Sequence, residues 1–296
     1  MQQKIVIAGG TGFIGHYFSQ RFRAMGHQVC IIARSRGAIA WTDREGILQA
    51  LEGAELLINL AGKSVDCRYN EANKAAIFSS RTETTKILGT ALSACRNPPP
   101  LWINSSTATI YRHAEDRPMT ERDGELGSGF SVDVARQWEH SFFSFSLPNT
   151  RQVALRIAIV LGKGGGVLGP LQGLVRSGMG GRQGSGKQQF SWIHLEDLFR
   201  IILFLQSRPE LTGVFNCAAP NPVNNATLMR TLRTLSGMPF GLPLPEWLLK
   251  WGAVLIRTET ELILKSRWVL PEKLLEAGFT FSYPQLEPAL KQIIDS

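Results

Sequence analysis

The stretch Ala8-Gly9-Gly10-Thr11-Gly12-Phe13-Ile14-Gly15 follows the apolar run Ile5-Val6-Ile7 without a break and leads into a helical pattern. A buried strand, a tight turn and a helix start are the elements such a string supports. In that order they aim backbone N–H groups and the positive end of a helix at one point, which suits a pyrophosphate. Gly9 permits the turn off the strand. Gly12 lets the backbone approach phosphates with no Cβ in the way, and Gly15 lets the helix lie close to the sheet. Gly10, Thr11, Phe13 and Ile14 complete the candidate loop. The spacing is G-x-x-G-x-x-G and not G-x-G-x-x-G, so the motif alone leaves a plain strand-turn-helix open.

The rest of the first half supplies the context. Strands are expected over Lys4–Ala8, Val29–Ala33, Leu56–Leu60, Leu101–Ser105 and Val153–Leu161, and helices over Ile14–Met25, Arg44–Leu51, Asn73–Cys95 and Ser131–Phe143. That alternation is the signature of a doubly wound parallel α/β sheet. Gly26 fits a helix C-terminus, and Pro98-Pro99-Pro100 marks a boundary before a strand. Glycine is dense over Gly162–Gly186, which cannot be one regular element. Beyond it, His194–Gln206 and Asn225–Ser236 read as helices and Gly213–Cys217 as a strand. The tail from Pro243 reads as mostly helical, with Trp247, Leu248, Trp251, Val254 and Leu255 on one side, a face that packs on its own domain or meets a membrane surface or a partner.

With 296 residues, 44% of them hydrophobic and 19% charged, the chain can bury a large core and is not disordered. The net charge of +8 comes from basic residues scattered singly and in pairs, so an anionic small molecule accounts for it without nucleic acid. Cys30, Cys67, Cys95 and Cys217 lie far apart, and no Cys/His spacing suits a metal. They read as free thiols of a cytoplasmic protein, with neither a signal peptide nor a membrane span expected.

At the end of the second strand an NAD enzyme places an acidic residue on the adenosine ribose. This chain has Ala33-Arg34-Ser35-Arg36 there. Arg34, helped by Ser35 and Arg36, suits a 2′-phosphate, which favours NADP(H) over NAD(H); a solvent-exposed loop arginine is the other reading. Asn59-Leu60-Ala61-Gly62 is a small-residue turn at the carboxyl edge of the sheet, where Leu60, Ala61 and Gly62 let a cofactor lie against the backbone. The next strand delivers Asn104-Ser105-Ser106-Thr107-Ala108-Thr109-Ile110-Tyr111 to the same edge, with hydroxyls that suit a sugar-like or carbonyl substrate.

These elements together resemble the extended short-chain dehydrogenase/reductases, the NAD(P)-dependent epimerase/dehydratase superfamily. In the second half, Val160-Leu161-Gly162, Gly164-Gly165-Gly166, Gly184-Ser185-Gly186, Ser191-Trp192-Ile193-His194, Ala219-Pro220-Asn221-Pro222 and Val269 to Phe279 resemble an atypical epimerase-family subgroup with a C-terminal helical domain of unknown function. The resemblance spans essentially the whole chain. It implies a Rossmann-like NADP-binding domain over residues 1–165, with sheet elements returning near 190–220, and a small, mainly helical substrate lobe over 166–296.

It also implies that Thr107 polarises the substrate oxygen and that Arg81, Ser105 and Val160 contact cofactor. The superfamily's acid/base pair, a Tyr with a Lys four positions on, is absent. The matching helix, Gly129 to Glu139, has neither, and none of the 4 tyrosines is followed by such a lysine. Tyr111 is the replacement donor or a packing aromatic. Ser106, Trp192 and His194 are expected around the substrate, His194 being otherwise structural; Asp133 is a base or a solvated residue, and Asp197 braces its helix. The expected function is NADP(H)-dependent redox or epimerase chemistry on a small molecule, or else a non-catalytic NADP(H)-binding sensor or scaffold. A homodimer is compatible with either.

Overall fold

The computed structural model describes residues 2–248 and 265–296. The strands are β1 (Lys4–Ala8), β2 (Gln28–Ile32), β3 (Leu56–Asn59), β4 (Leu101–Thr107), β5 (Arg151–Ile157), β6 (Ile159–Leu161), β7 (Gln189–Phe190), β8 (Trp192–His194), β9 (Gly213–Cys217) and β10 (Val223–Asn224). The helices are α1 (Phe13–Ala24), α2 (Arg44–Leu51), α3 (Glu71–Ala94), α4 (Phe130–Phe143), α5 (Leu168–Arg176), α6 (Leu195–Gln206), α7 (Asn225–Leu235), α8 (Glu272–Glu276) and α9 (Leu286–Asp295).

Six strands form one sheet in the order β2-β1-β3-β4-β5-β9, and every neighbouring pair is parallel. The order reverses at β1, which lies between β2 and β3. The connections leaving β1 and β3 therefore run to opposite faces and open a crevice at the carboxyl edge. Side chains alternate along β1: Ile5 and Ile7 pack with Phe18 and Phe22 of α1 and Phe199 of α6, whereas Val6 and Ala8 pack with Ile47 of α2 and Leu88 of α3. Both faces of the sheet are covered, which is why its strands read as continuous apolar runs. A third cluster joins Trp192 to α5, α7 and α9 through Val175, Leu228, Leu232 and Leu290.

Several boundaries differ from expectation for local reasons. The apolar run Val153–Leu161 is two strands, not one. Ala158 N–H still bonds to Cys217 O in the main sheet, whereas Ile159 N–H bonds to Ser191 O and β6 pairs with β8. Both segments are largely apolar in sequence, so hydropathy does not record the change of partner. Strand β2 stops at Ile32 because Ala33 N–H turns away to Ile39 O. Helix α3 starts at Glu71 because the Asn70 side chain caps it, accepting from Asn73 N–H at 2.8 Å. The glycine-dense stretch holds α5. Trp247 and Leu248 are exposed, and Trp251, Val254 and Leu255 lie outside the described residues. Among the described residues no helix is long and apolar enough to cross a membrane, and no side-chain group has the makings of a metal site.

Candidate functional site

The crevice at β1 and β3 continues into a cleft of about 380 Å³ along the ends of β4 and β5. Its floor is the glycine loop. Gly9 has φ +80°, and its N–H bonds to Ile32 O at 2.8 Å. A Cβ there would lie 2.8 Å from Ala61 N and the Leu60 carbonyl, so a side chain would prise the loops after β1 and β3 apart. A Cβ on Gly15 would lie 2.5 Å from Gly9 O, so the glycine lets α1 sit on its own approach loop. Gly12 is different. A Cβ there would have only Gly9 O nearby, at 3.6 Å, so nothing in the protein forbids a side chain.

Gly12 caps α1 with extended backbone and no side-chain cap, and the first turn of α1 holds no acidic residue. Among the described residues no side chain caps the first-turn N–H groups, the arrangement an anion satisfies. Gly9, Gly12, Ile14 and Gly15 line the cleft. Thr11 is exposed, Gly10 packs on Ile31, and Phe13 is covered by Gly162, Gly165 and Gly166. This cradle fits a dinucleotide diphosphate.

The second wall is the turn after β3. Buried Asn59 donates to Asn104 Oδ1 at 2.7 Å and to Thr85 Oγ1 at 3.2 Å, and its own oxygen accepts from Ala61 N–H at 3.1 Å. One side chain thereby fixes β3, β4, α3 and the turn. Leu60 and Gly62 line the cleft; Ala61 is buried behind them. Arg81 reaches in from α3, donating through Nη1 to Lys63 O at 3.1 Å and Ile77 O at 3.0 Å. Its guanidinium lies 5.1 Å over the Trp138 ring. Burial pulls its pKa down to about 10. No carboxylate of the described residues pairs with it. A Cβ on Gly62 would lie 3.2 Å from Nη2, so that glycine makes room for the guanidinium.

The third wall comprises Ser105, Ser106, Thr107 and Thr109, the α4 residues Phe130, Ser131, Val134, Ala135 and Trp138, and Ile157, Ala158 and Val160. Thr107 Oγ1 accepts from Thr109 N–H at 3.1 Å, which leaves its O–H to donate into the cleft. Ser106 donates to Glu139 Oε1 at 2.6 Å. Glu139 accepts from Arg156 Nε and Nη2 at 2.9 and 2.8 Å, and Arg156 Nη1 donates to the Tyr111 hydroxyl at 2.9 Å. Burial works against the Arg156 charge, yet the Glu139 carboxylate holds its pKa above the ordinary arginine value.

Tyr111 does not reach the cleft. It is 1% exposed, and its hydroxyl sits among Asn216 Oδ1 at 2.9 Å, Thr120 O at 3.0 Å and Arg156. Burial pushes its pKa up, with Arg156 only partly opposing. This corrects its assignment as the replacement donor: the tyrosine is a buried brace.

Trp192 and His194 also lie outside the cleft lining, and the expectation that they close the site is corrected. Trp192 is fully buried in the third cluster, its indole donating to Asn221 O at 3.3 Å. His194 caps α6, its Nδ1 accepting from Glu196 N–H at 3.1 Å, so its proton is on Nε2 and goes to Gln292 Oε1 at 3.0 Å. Its ring centroid is 4.0 Å from that of Tyr283, and burial pushes its pKa down. Asp197 is a brace, accepting from Ser282 and Tyr283 N–H, each at 2.8 Å, and Asp133 is exposed.

Arg34 and Ser35 sit in the exposed turn after β2, beside the glycine loop and outside the cleft lining. Lys63, Ser64, Val65, Tyr69, Phe130, Ser131 and Trp138 line the cleft and were not expected there. The residues from 63 to 69 belong to a connection without periodicity, so no sequence signal aims them.

Residues 5–131 match the family model of the NAD dependent epimerase/dehydratase family, and residues 244–293 match a domain of unknown function, DUF1731. The chain is 34% identical to the epimerase family protein SDR39U1 of Bos taurus, over 98% of this chain and 99% of that one. It is 31% identical to the epimerase family protein YfhF of Bacillus subtilis, over 98% and 97%. The crystal structure of human SDR39U1 (isoform 2) with NADPH superposes with a TM-score of 0.90 at 31% identity, over 98% of this chain and 99% of that one. A UDP-N-acetylglucosamine 4-epimerase from Bacillus cereus shares the fold at 17% identity and a TM-score of 0.76, over 99% and 95%.

Proposed function

The chain belongs to the NAD dependent epimerase/dehydratase family, and from that premise we propose that it binds NADP(H) across the glycine loop and exchanges hydride with a carbonyl or hydroxyl carbon of a small, sugar-like substrate. The observation that carries the cofactor choice is Arg34. Among the described residues its guanidinium makes no ion pair or hydrogen bond, and the turn Ala33-Arg34-Ser35-Arg36 has no carboxylate to repel a 2′-phosphate. The human relative solved with NADPH supports the same choice.

Gly9, Gly12, Gly15 and the first turn of α1 would hold the diphosphate, Arg34 and Ser35 the 2′-phosphate, and Leu60, Gly62, Arg81, Ser105 and Val160 the remainder. A nicotinamide bound there supplies or removes a hydride. Thr107 then donates its free O–H to the substrate oxygen. Ser106, whose proton is committed to Glu139, offers only lone pairs and accepts from a substrate hydroxyl. Phe130, Val134 and Ile157 keep water from the space beside them. Measuring NADPH and NADH binding through nicotinamide fluorescence tests the cofactor assignment: NADPH is expected to bind at least about 10-fold tighter, the weight of one charge-assisted contact. Equal affinities overturn it.

A second reading, a non-catalytic NADP(H)-binding sensor or scaffold, draws on one observation. The α4 residues that line the cleft are Phe130, Ser131, Val134, Ala135 and Trp138, none of which exchanges protons near neutrality. Failure to oxidise NADPH with any of a broad set of small carbonyl compounds, despite tight binding, favours it.

A further inference from the structure

Although α4 brings no phenol and no cation to the cleft, both arrive from the opposite wall. Tyr69, in the connection before α3, lines the cleft and sets its ring edge-on against Phe130 with centroids 5.0 Å apart. Arg81, from α3, lines the same cleft over Trp138. Phe130 and Trp138 flank Ser131 and Ala135 on α4, and these small side chains leave the volume that the tyrosine and arginine approach.

We propose that Tyr69 is the proton donor of this cleft and that Arg81 is the cation that favours its phenolate. The pair rests on the NADP(H) assignment above for its hydride partner. In the reducing direction the Tyr69 O–H bond breaks and its proton passes to the oxygen of a substrate carbonyl as the carbon takes the hydride from the reduced nicotinamide. The product is a hydroxyl group and an oxidised nicotinamide. The phenolate left behind faces the Arg81 charge and regains its proton from water. In the oxidising direction the same phenolate takes the hydroxyl proton.

The electrostatics support the pairing. Both groups line one cleft; burial holds the Arg81 pKa to about 10, the Tyr69 phenolate acts on it in the opposite sense, and the guanidinium is charged at neutral pH. On α3, Lys74 Nζ is 5.9 Å from the Phe130 ring centroid and is paired with Glu71 at 3.0 Å, whereas Arg81 has no carboxylate partner among the described residues. Lys63 lines the cleft, and Asp66 and Arg68 on the tyrosine's own connection are exposed. On α4, Asp133 and Arg136 are on the exposed face, and the buried Glu139 carboxylate behind Ser106 is paired with Arg156 at 2.8 Å. Arg81 is thus the cation of the cleft lining that no carboxylate of the described residues neutralises.

The test is a pH titration of tyrosinate absorbance in the ligand-free, full-length chain, in wild type, Tyr69→Phe and Arg81→Gln. Burial lifts Tyr17 and Tyr111 above the ordinary phenol value, which keeps them out of the window, and the fourth tyrosine, Tyr283, is replaced by Phe in all three proteins. Wild type is expected to show a step below about 10, the ordinary phenol value. Tyr69→Phe should abolish that step, and Arg81→Gln should move it up by about one unit or more. A step that survives Tyr69→Phe, or a wild-type Tyr69 that titrates at or above the ordinary value, overturns the proposal. If Arg81→Gln fails to fold, Tyr69→Phe still decides. NADPH binding by wild type is measured separately; its absence would sink the cofactor assignment, whereas an unmoved tyrosinate step sinks this assignment alone.

Discussion

The Ser106 hydroxyl gives its proton to the Glu139 carboxylate at 2.6 Å, and so turns only lone pairs toward the cleft. Its neighbour Thr107, whose oxygen is engaged by Thr109 N–H, turns a proton. Two adjacent hydroxyl residues of one strand therefore present opposite polarity, a consequence of which partner each has found behind it.

Glu139→Ala would strand the Arg156 guanidinium, whose side chain is 12% exposed. Breaking one side of a buried pair costs about 3–5 kcal/mol. Urea denaturation should show a loss of that size; a loss under about 1 kcal/mol would mean that water replaces the carboxylate.

Gly12→Ala and Gly15→Ala should part company. The Gly12 position has space for a methyl group, so that variant should keep its melting temperature while NADPH binding weakens by about 10-fold or more. Gly15→Ala forces α1 off the loop and should lower the melting temperature. If Gly12→Ala binds NADPH like wild type, the diphosphate does not approach there.

Arg34→Ala should weaken NADPH about 10-fold or more and leave NADH nearly unchanged, since only the former carries the 2′-phosphate. Fluorescence titrations with both nucleotides check this, and equal losses remove Arg34 from the site.

Thr107→Val keeps shape and deletes the free hydroxyl. Turnover with any accepted carbonyl compound should fall by about 100-fold, the scale of one lost oriented donor, with NADPH affinity nearly intact. Unchanged turnover removes Thr107 from the chemistry.

His194 sets one pH dependence. Its folded pKa is depressed by burial below the ordinary 6.5, so the unfolded chain binds the proton more readily. Stability is fully present above about 6.5, falls as pH drops through the interval below it, and levels off beneath the folded value. In His194→Gln the slope over that interval should shrink, whatever the variant's absolute stability. An unchanged slope assigns the titration elsewhere.

The glycine loop, the alternating elements and the turn Asn59–Gly62 were legible because spacing and apolar runs follow backbone periodicity. The aim of a hydroxyl or ring is not periodic. Tyr111 and His194 carried suitable chemistry in suitable motifs, yet Asn216, Arg156 and Gln292 claim their polar atoms from strands and helices distant in sequence. Tyr69 had no motif at all, and only the path of its connection across Phe130 brings it to the cleft. The change of strand partner at Ala158 was silent for a related reason, because a residue buried on both sides looks the same in either sheet.

Phe13, the first residue of α1, lies under Gly162, Gly165 and Gly166, so close that a Cβ on Gly165 would come within 2.4 Å of its ring. The nucleotide loop thus takes its cover from a segment far along the chain, and it is complete only once Gly162–Gly166 has folded over Phe13.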